Sequence, residues 1–467
     1  MGFSVKARAL LLLASFLVPP TFAHAPPGAM PRPYAPAEKG ARVIYTNATL
    51  IDGRGGPAQP GMAVVVEGDR IASIMPMATV AVTRWADASF VDLAGGYLLP
   101  GLIDSHQHMA TPPNRVQAEA QMRRDLFGGI TAVRDMADDL RAVMEYARAT
   151  RVGEVPGPDI YAAALFAGPD FFDDPRTAAA AEGVKPGTVP WMRAVTDGTN
   201  LPEAVTLARG TSAIAIKLYD NLRPQDVRAI TAEAHKQGMR VWAHGMVFPT
   251  PPADVVDAGV DSISHTCYLA YHISNPRPTT YKDRRLVEVD KLKGGDNPEM
   301  TALFKQMAAK GIVLDATLRV YQEYDKRLAA KPDMKPRPHC TLEVASALTA
   351  QAKRAGVTIV TGTDGVPPAA HPWPALYDEL ELLHARAGMT NGEVIRAATL
   401  EGAKLIGQEA EMGAIEAGKL ANFIVLDRDP LADLGNLRSI RFTVKRGTRL
   451  DRAAYRPITP EEMPKDD

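Results

Sequence analysis

The sequence predicts an α/β fold, a (β/α)₈ TIM barrel joined to a small discontinuous β-sandwich domain that the N- and C-terminal segments build together. Three observations point there. Eight short apolar runs, each followed by a helical pattern, fill the middle of the chain, as expected for parallel strands alternating with covering helices. β-rich segments flank that middle on both sides. Polar side chains of metal-ligand type close five of the eight runs, at the edge where barrel enzymes assemble their sites.

Taken in order, the chain begins with an address rather than a fold. Lys6 and Arg8 precede an apolar run from Ala9 to Val18, and the small residues Thr21 and Ala23 follow, so residues 1–23 read as a signal peptide. The run is short for a bilayer span, and Pro19-Pro20 interrupts it. No cysteine stands directly after it and no later stretch is apolar enough to span a membrane, so the mature protein is expected to be exported, periplasmic or secreted, and free of the membrane. Residues 24–40, rich in Pro and Gly, predict an extended arm. Short β-rich runs follow at Val43–Tyr45, Ala63–Val66 and Arg70–Ile74, and return at Gly413–Ile415, Asn422–Leu426 and Ile440–Val444. Segments 41–97 and 405–467 are therefore expected to form the composite sandwich.

The barrel is expected over 98–404. Its strands are predicted at Tyr97–Asp104, Ile130–Asp135, Asp159–Leu165, Ala213–Leu218, Arg240–His244, Ser262–His265, Ile312–Ala316 and Thr358–Gly362, with helices such as Pro224–Gln237 and Pro298–Lys310 between them. A doubly wound open sheet is the structural rival, and it gains nothing, since no GxGxxG follows the first strand.

Composition sets the outer limits. At 467 residues, 46% hydrophobic and 23% charged, the chain is ordinary globular material, long enough for one large domain and a smaller one. A formal charge of −1, without a basic aromatic-interleaved stretch, argues against nucleic acid as a partner. Cys267 and Cys340 lie far apart and make no disulfide framework; export permits a bond, but two buried free thiols are the favoured reading.

The chemistry concentrates at strand ends. His106 and His108 stand two apart at the end of the first barrel strand, so they share a face and two imidazoles can meet one cation. Lys217 lies inside the apolar run Ala213–Tyr219, where an ammonium is costly unless paired or neutralised; a salt-bridged core lysine or one reaching solvent are the bland alternatives. His244 and His265 close the fifth and sixth strands, and Asp364 follows the eighth. Singly, each histidine reads as a hydrogen-bonded core residue and Asp364 as a helix cap. Together they predict one shared metal site.

With these residues in view, the chain resembles the amidohydrolase superfamily, in the subtype whose two metals are bridged by a carboxylated lysine. The resemblance covers nearly everything after the leader. It is carried by Leu99-Pro100-Gly101-Leu102-Ile103-Asp104-Ser105-His106-Gln107-His108, by Gly129-Ile130-Thr131-Ala132-Val133-Arg134-Asp135, and by the closing Gly418-Lys419-Leu420-Ala421-Asn422-Phe423-Ile424-Val425-Leu426-Asp427. Within the superfamily it is most similar to the imidazolonepropionase-like group, which includes dipeptidases acting on Xaa-Pro or on C-terminal basic dipeptides.

The resemblance implies that His106, His108 and Asp364 hold the more buried metal and His244 and His265 the more exposed one. A CO₂-derived carbamate on Lys217 would bridge the two, which requires the free amine that burial favours. Zinc suits the donor set; manganese or cobalt can substitute. A water shared by two cations becomes a hydroxide near neutral pH, Asp364 orients it and moves its proton to the leaving nitrogen, and Tyr219, on the face of Lys217, donates to the oxyanion. A packed barrel aromatic is the equal alternative for Tyr219, and Arg134 reads as a structural ion-pair partner.

Specificity is expected in the loops 166–200, 266–298 and 319–340, with His371, Tyr268, Tyr271 and His272 as candidate substrate contacts. The expected activity is cleavage of an amide bond in a small-molecule dipeptide or N-acyl amino acid. A lactonase, esterase or phosphotriesterase would use the same ligands. A mononuclear imidazolone-type hydrolase or deaminase would not need Lys217, and a non-catalytic metal-binding protein would not need the whole set. HExxH and GxSxG are absent, so those hydrolytic chemistries lack support. A homo-oligomer is left open.

Overall fold

The computed structural model describes Met1 and residues 41–463, except 81–84, 86, 284, 293–294 and 335–338. The predicted leader (1–23) and arm (24–40) lie outside the described residues, Met1 excepted. Among the described residues no helix is long and apolar enough to cross a membrane.

The barrel strands are β1 (Leu102–Gln107), β2 (Ile130–Asp135), β3 (Asp159–Ala167), β4 (Ala215–Leu218), β5 (Arg240–His244), β6 (Ser262–Ser264), β7 (Val313–Asp315) and β8 (Ile359–Val360). Each pairs in parallel with the next in sequence. The circle is drawn shut between β8 and β1, where the Ser105 N–H donates to Thr361 O at 2.7 Å and the Asp364 N–H donates to His106 O at 2.9 Å. The helices on the outside present apolar stripes to the strands: Val227, Ile230 and Ala234 of the helix Pro224–Lys236 are buried at the three- and four-residue spacing that one helix face requires.

A mixed sheet from the two chain ends forms the second layer of the molecule. Its order runs Thr448–Asp451, Ile440–Lys445, Phe423–Leu426, Tyr97–Pro100, Arg42–Leu50, Gln59–Glu67, Arg70–Pro76, with Ser89–Asp92 also pairing to Arg42–Leu50. Tyr45, Val64, Leu98, Phe423, Val425 and Phe442 share one apolar cluster there. The seam with the barrel carries a fully buried ion pair: Lys445 Nζ lies 3.0 Å from Asp159 Oδ1, with Arg446 Nη2 2.8 Å from Oδ2.

Four expectations change. The run Tyr97–Asp104 is two strands, not one: Tyr97–Pro100 belongs to the terminal sheet, and the barrel starts at Leu102, because Gly101 turns the chain where a side chain would strike Thr131. Gly413–Ile415 is no strand; the Ile415 N–H is spent on Asp52 O instead. The expected loop 319–340 begins as the helix Leu318–Ala330, while loop 166–200 adds two short strands, Met192–Ala194 paired to β3 and Thr188–Val189 paired to Met192–Ala194 in turn. Finally, Cys267 and Cys340 are not free thiols: they form a disulfide, their Cα atoms 6.2 Å apart. Sequence separation hid the pair, since the fold returns the chain to the loop after β6.

Candidate active site

The C-terminal ends of the strands surround a cavity of about 310 Å³, bordered by His106, His108, Lys217, His244, His265 and Asp364, with Tyr219 beside them. The six predicted ligands therefore converge. Ligand atoms of His106, His265 and Asp364 all lie within 4.8 Å of one another, a grouping able to hold a cation. Asp364 is the hub: its Oδ1 is 3.6 Å from His106 Nε2 and 3.4 Å from His108 Nε2, and its Oδ2 is 3.8 Å from His265 Nε2.

Each of these three imidazoles is anchored through its other nitrogen. His106 Nδ1 pairs with Asp315 Oδ2 at 2.6 Å, His108 Nδ1 with Asp138 Oδ1 at 2.7 Å, and His265 Nδ1 with Thr317 Oγ1 at 2.9 Å. For His106 and His265, a proton held at Nδ1 leaves the Nε2 lone pair facing the cavity, which is how metal-ligating histidines are oriented. For His108, burial is outweighed by Asp138 and Asp364, which raise its imidazolium well above the ordinary value. Burial pushes the imidazolium forms of His106, His244 and His265 down, His265 to about 3, so they stand neutral as ligands require.

The backbone bends to bring these groups in. His265 and Asp364, with Thr317 and Ala137 nearby, have φ of 67°, 44°, 50° and 86°, a left-handed region that non-glycine residues rarely occupy and that clusters at functional sites. Gly362 must be glycine for closeness: a Cβ there would lie 2.8 Å from His106 Cβ and collide with the Asp315 carboxylate.

Lys217 is 1% exposed, and its Nζ has no hydrogen-bond partner among the described residues. Burial, with Arg134 nearby, brings its amine down to about 7, so the neutral form is populated near neutrality. Asp364 shows the opposite balance: burial would raise its carboxyl, but His106, His108 and His265 hold it well below the usual carboxylate range.

Other residues went unrecognised in the sequence. Asp315, in the run Ile312–Ala316, accepts from Arg134 Nη2 at 2.9 Å as well as meeting His106. Arg134 is fully buried, donates also to Ser105 O and Ser262 Oγ, and lies over the Trp242 ring at 4.6 Å, the structural role expected of it. Asp138, Thr317 and Arg176 had no sequence signal beyond residue type. Met136, Leu165, Ala180 and Met192 give the cavity an apolar wall.

Of the substrate candidates, Tyr268 borders a small recess between Tyr219 and His339 and stacks on His244 at 5.2 Å. His371 and His272 border neither that recess nor the cavity that holds the six ligand candidates. The His371 Nδ1–H is spent on Trp373 O at 2.8 Å within its own loop, and His272 lies within the 3₁₀ turn Ala270–Ile273, its own carbonyl accepting from Arg277 Nη2 at 2.7 Å. Tyr271 is buried, its hydroxyl donating to Arg285 O at 2.6 Å.

Comparison with known proteins accords with this geometry. The sequence model described as the Amidohydrolase family matches residues 97–450. An imidazolonepropionase from Symbiobacterium thermophilum is 23% identical over 398 residues, covering 79% of this chain and 84% of its own. An ochratoxinase from Aspergillus niger is 27% identical over 386 residues, covering 72% of this chain and 71% of its own. Among solved structures, a Xaa-Pro dipeptidase with bound methionine in the active site superposes with a TM-score of 0.68 at 22% identity, covering 88% of this chain and all of that one.

Proposed function

Because the chain belongs to the amidohydrolase family, we propose that it is an exported hydrolase acting on a carbon–nitrogen bond of dipeptides or N-acyl amino acids and working with two divalent cations. One observation carries this reading. Lys217 is buried, without a hydrogen-bond partner among the described residues, and its amine is drawn down to about 7 among three anchored imidazoles, a fourth imidazole and a carboxylate. Burial and Arg134 make the ammonium costly there despite Asp315 and Asp364, whereas carbamylated by CO₂ the lysine becomes an anionic oxygen ligand for the centre.

The donors fit two cations, preferably zinc. His106, His108 and Asp364 would hold one, His244 and His265 the other, with Lys217 shared. The cations would supply Lewis acidity toward the scissile carbonyl and acidify a water.

The protein's own groups do the rest. Asp364, held anionic, takes the proton released during attack and delivers it to the leaving nitrogen. Tyr219, whose phenol burial raises well above its usual value, stays protonated and donates to the carbonyl oxygen as that oxygen becomes negative. The apolar wall of Met136, Leu165, Ala180 and Met192 excludes water and takes an apolar part of the substrate. Export is supported by the leader-like residues 1–23 and by the Cys267–Cys340 disulfide, a bond that persists in oxidising compartments.

The test is metal analysis of the purified protein with a substrate panel. About two ions per chain and turnover of dipeptides or N-acyl amino acids are expected. Turnover confined to lactones and phosphotriesters would overturn the amide reading, and one ion with an unmodified Lys217 would overturn the binuclear one.

A further inference from the structure

We infer that Arg176 is a positioning residue for this hydrolysis: it fixes the Tyr219 hydroxyl so that the phenolic proton faces the scissile carbonyl. The inference rests on the reading above, in which Tyr219 donates to the oxygen that becomes negative.

The Tyr219 ring has little room to move. It stacks on Phe171, centroids 4.4 Å apart, and meets His244 edge-on at 4.1 Å. What remains is rotation about the C–O bond, where a phenolic proton prefers the ring plane on one side of the oxygen or the other. Arg176 decides between them. Its Nη1 donates to Tyr219 Oη at 3.0 Å, and a guanidinium has no acceptor, so the tyrosine proton cannot point that way. It is left for the opposite side. Tyr219 borders the cavity that holds Lys217, His244, His265 and Asp364, where a substrate carbonyl would lie.

The arginine is itself held still. Asp174 Oδ1 accepts from Arg176 Nε at 3.0 Å and from its backbone N–H at 2.9 Å, while Oδ2 accepts from Nη2 at 2.7 Å. Nη2 donates further to Tyr281 Oη at 3.1 Å. The local order Asp-Pro-Arg produces this: Asp174 caps the short helix Pro175–Ala179, proline begins it, and the cap carboxylate is then in reach of the guanidinium. The guanidinium carbon lies 5.6 Å from the Tyr219 ring centre and 5.7 Å from that of Tyr281. Positive charge thus stands beside the phenol as donation makes its oxygen more negative. Without Arg176 the proton would sample both directions, and water at the half-exposed mouth would compete for it.

The test is a double-mutant cycle on Arg176→Met and Tyr219→Phe with a dipeptide that the wild type turns over. Tyr219→Phe is expected to lower kcat about 100-fold, as loss of one oxyanion donor does. Arg176→Met is expected to lower kcat about tenfold with KM little changed, and the double variant to be no slower than Tyr219→Phe alone. Arg176→Lys, keeping charge and one donor, recovers part of the loss. Losses that multiply in the double variant, or an Arg176→Met effect on KM alone, overturn the inference, because the arginine then acts independently of Tyr219 or on the substrate itself. If Arg176→Met does not fold, Arg176→Lys and Asp174→Asn enter the same cycle. A wild type that refuses every amide but cleaves p-nitrophenyl acetate defeats the amide reading alone; the cycle, run on that ester, still decides Arg176.

Discussion

His106 Nδ1 and Asp315 Oδ2 stand 2.6 Å apart, with the carboxylate wholly buried and shared with Arg134. Burial would raise Asp315's carboxyl, yet His106 and Arg134 hold it below its ordinary value, so it is an anion that fixes the histidine's tautomer. Asp315→Asn keeps the shape but removes the charge. We expect metal affinity to fall about 10–100-fold while the protein stays folded, measured by competition with a chelator and by circular dichroism. Unchanged affinity would mean that the pair serves only packing. Asp315→Ala is the harsher change, since it strands buried Arg134.

Lys217 supplies the second prediction. Its amine comes down to about 7, so the reactive neutral form grows as pH rises through 7, and carbamylation should follow it. Metal-stripped protein given zinc and bicarbonate is expected to regain activity faster at pH 8 than at pH 6. Lys217→Ala should be inactive and partly restored by short carboxylic acids. Full activity without the lysine would refute the carbamate.

The third concerns the seam between sheet and barrel. Lys445 Nζ donates to Thr150 O and Gly157 O besides pairing with Asp159. Removing one partner of a buried pair leaves the other uncompensated, so Asp159→Ala should cost about 3–5 kcal/mol in denaturant unfolding. Burial opposes ionisation of Asp159, but Lys445 and Arg446 outweigh it and depress the carboxyl below its ordinary 3.8. The sign follows: the stabilisation is present above about that pH and is lost as pH falls through the depressed value. Acid unfolding of the wild type should therefore show a step that Asp159→Asn lacks.

The disulfide supplies the fourth. It closes a loop 73 residues long, for which a constraint of this kind contributes about 2–4 kcal/mol. Reduction, or Cys267→Ser with Cys340→Ser, should lower the melting temperature. Cys340 also follows His339, which stacks on Tyr268 at 4.8 Å beside the cavity, so KM should rise more than kcat falls. A melting temperature indifferent to reductant would contradict this.

The positions of His106, His108, Lys217, His244, His265 and Asp364 were legible because each is a local oddity, a polar ligand type at the end of an apolar run. Asp315 was not, since an aspartate closing a strand reads equally as a helix cap. His371 and His272 were over-read, because a histidine in a loop beside a site carries no sign of which way it faces. The break at Gly101 was hidden inside one continuous apolar stretch that serves two sheets.

By itself the sequence determined the alternation of strand and helix, the parallel barrel and the side chains that cap its strands. These are properties of near neighbours along the chain, written as periods of two and of three to four residues. Only the tertiary structure decided the Cys267–Cys340 bond, the Asp315–His106 and Lys445–Asp159 pairs, and the hold of Arg176 on Tyr219. Those depend on distances between residues remote in sequence, which closure of the barrel sets.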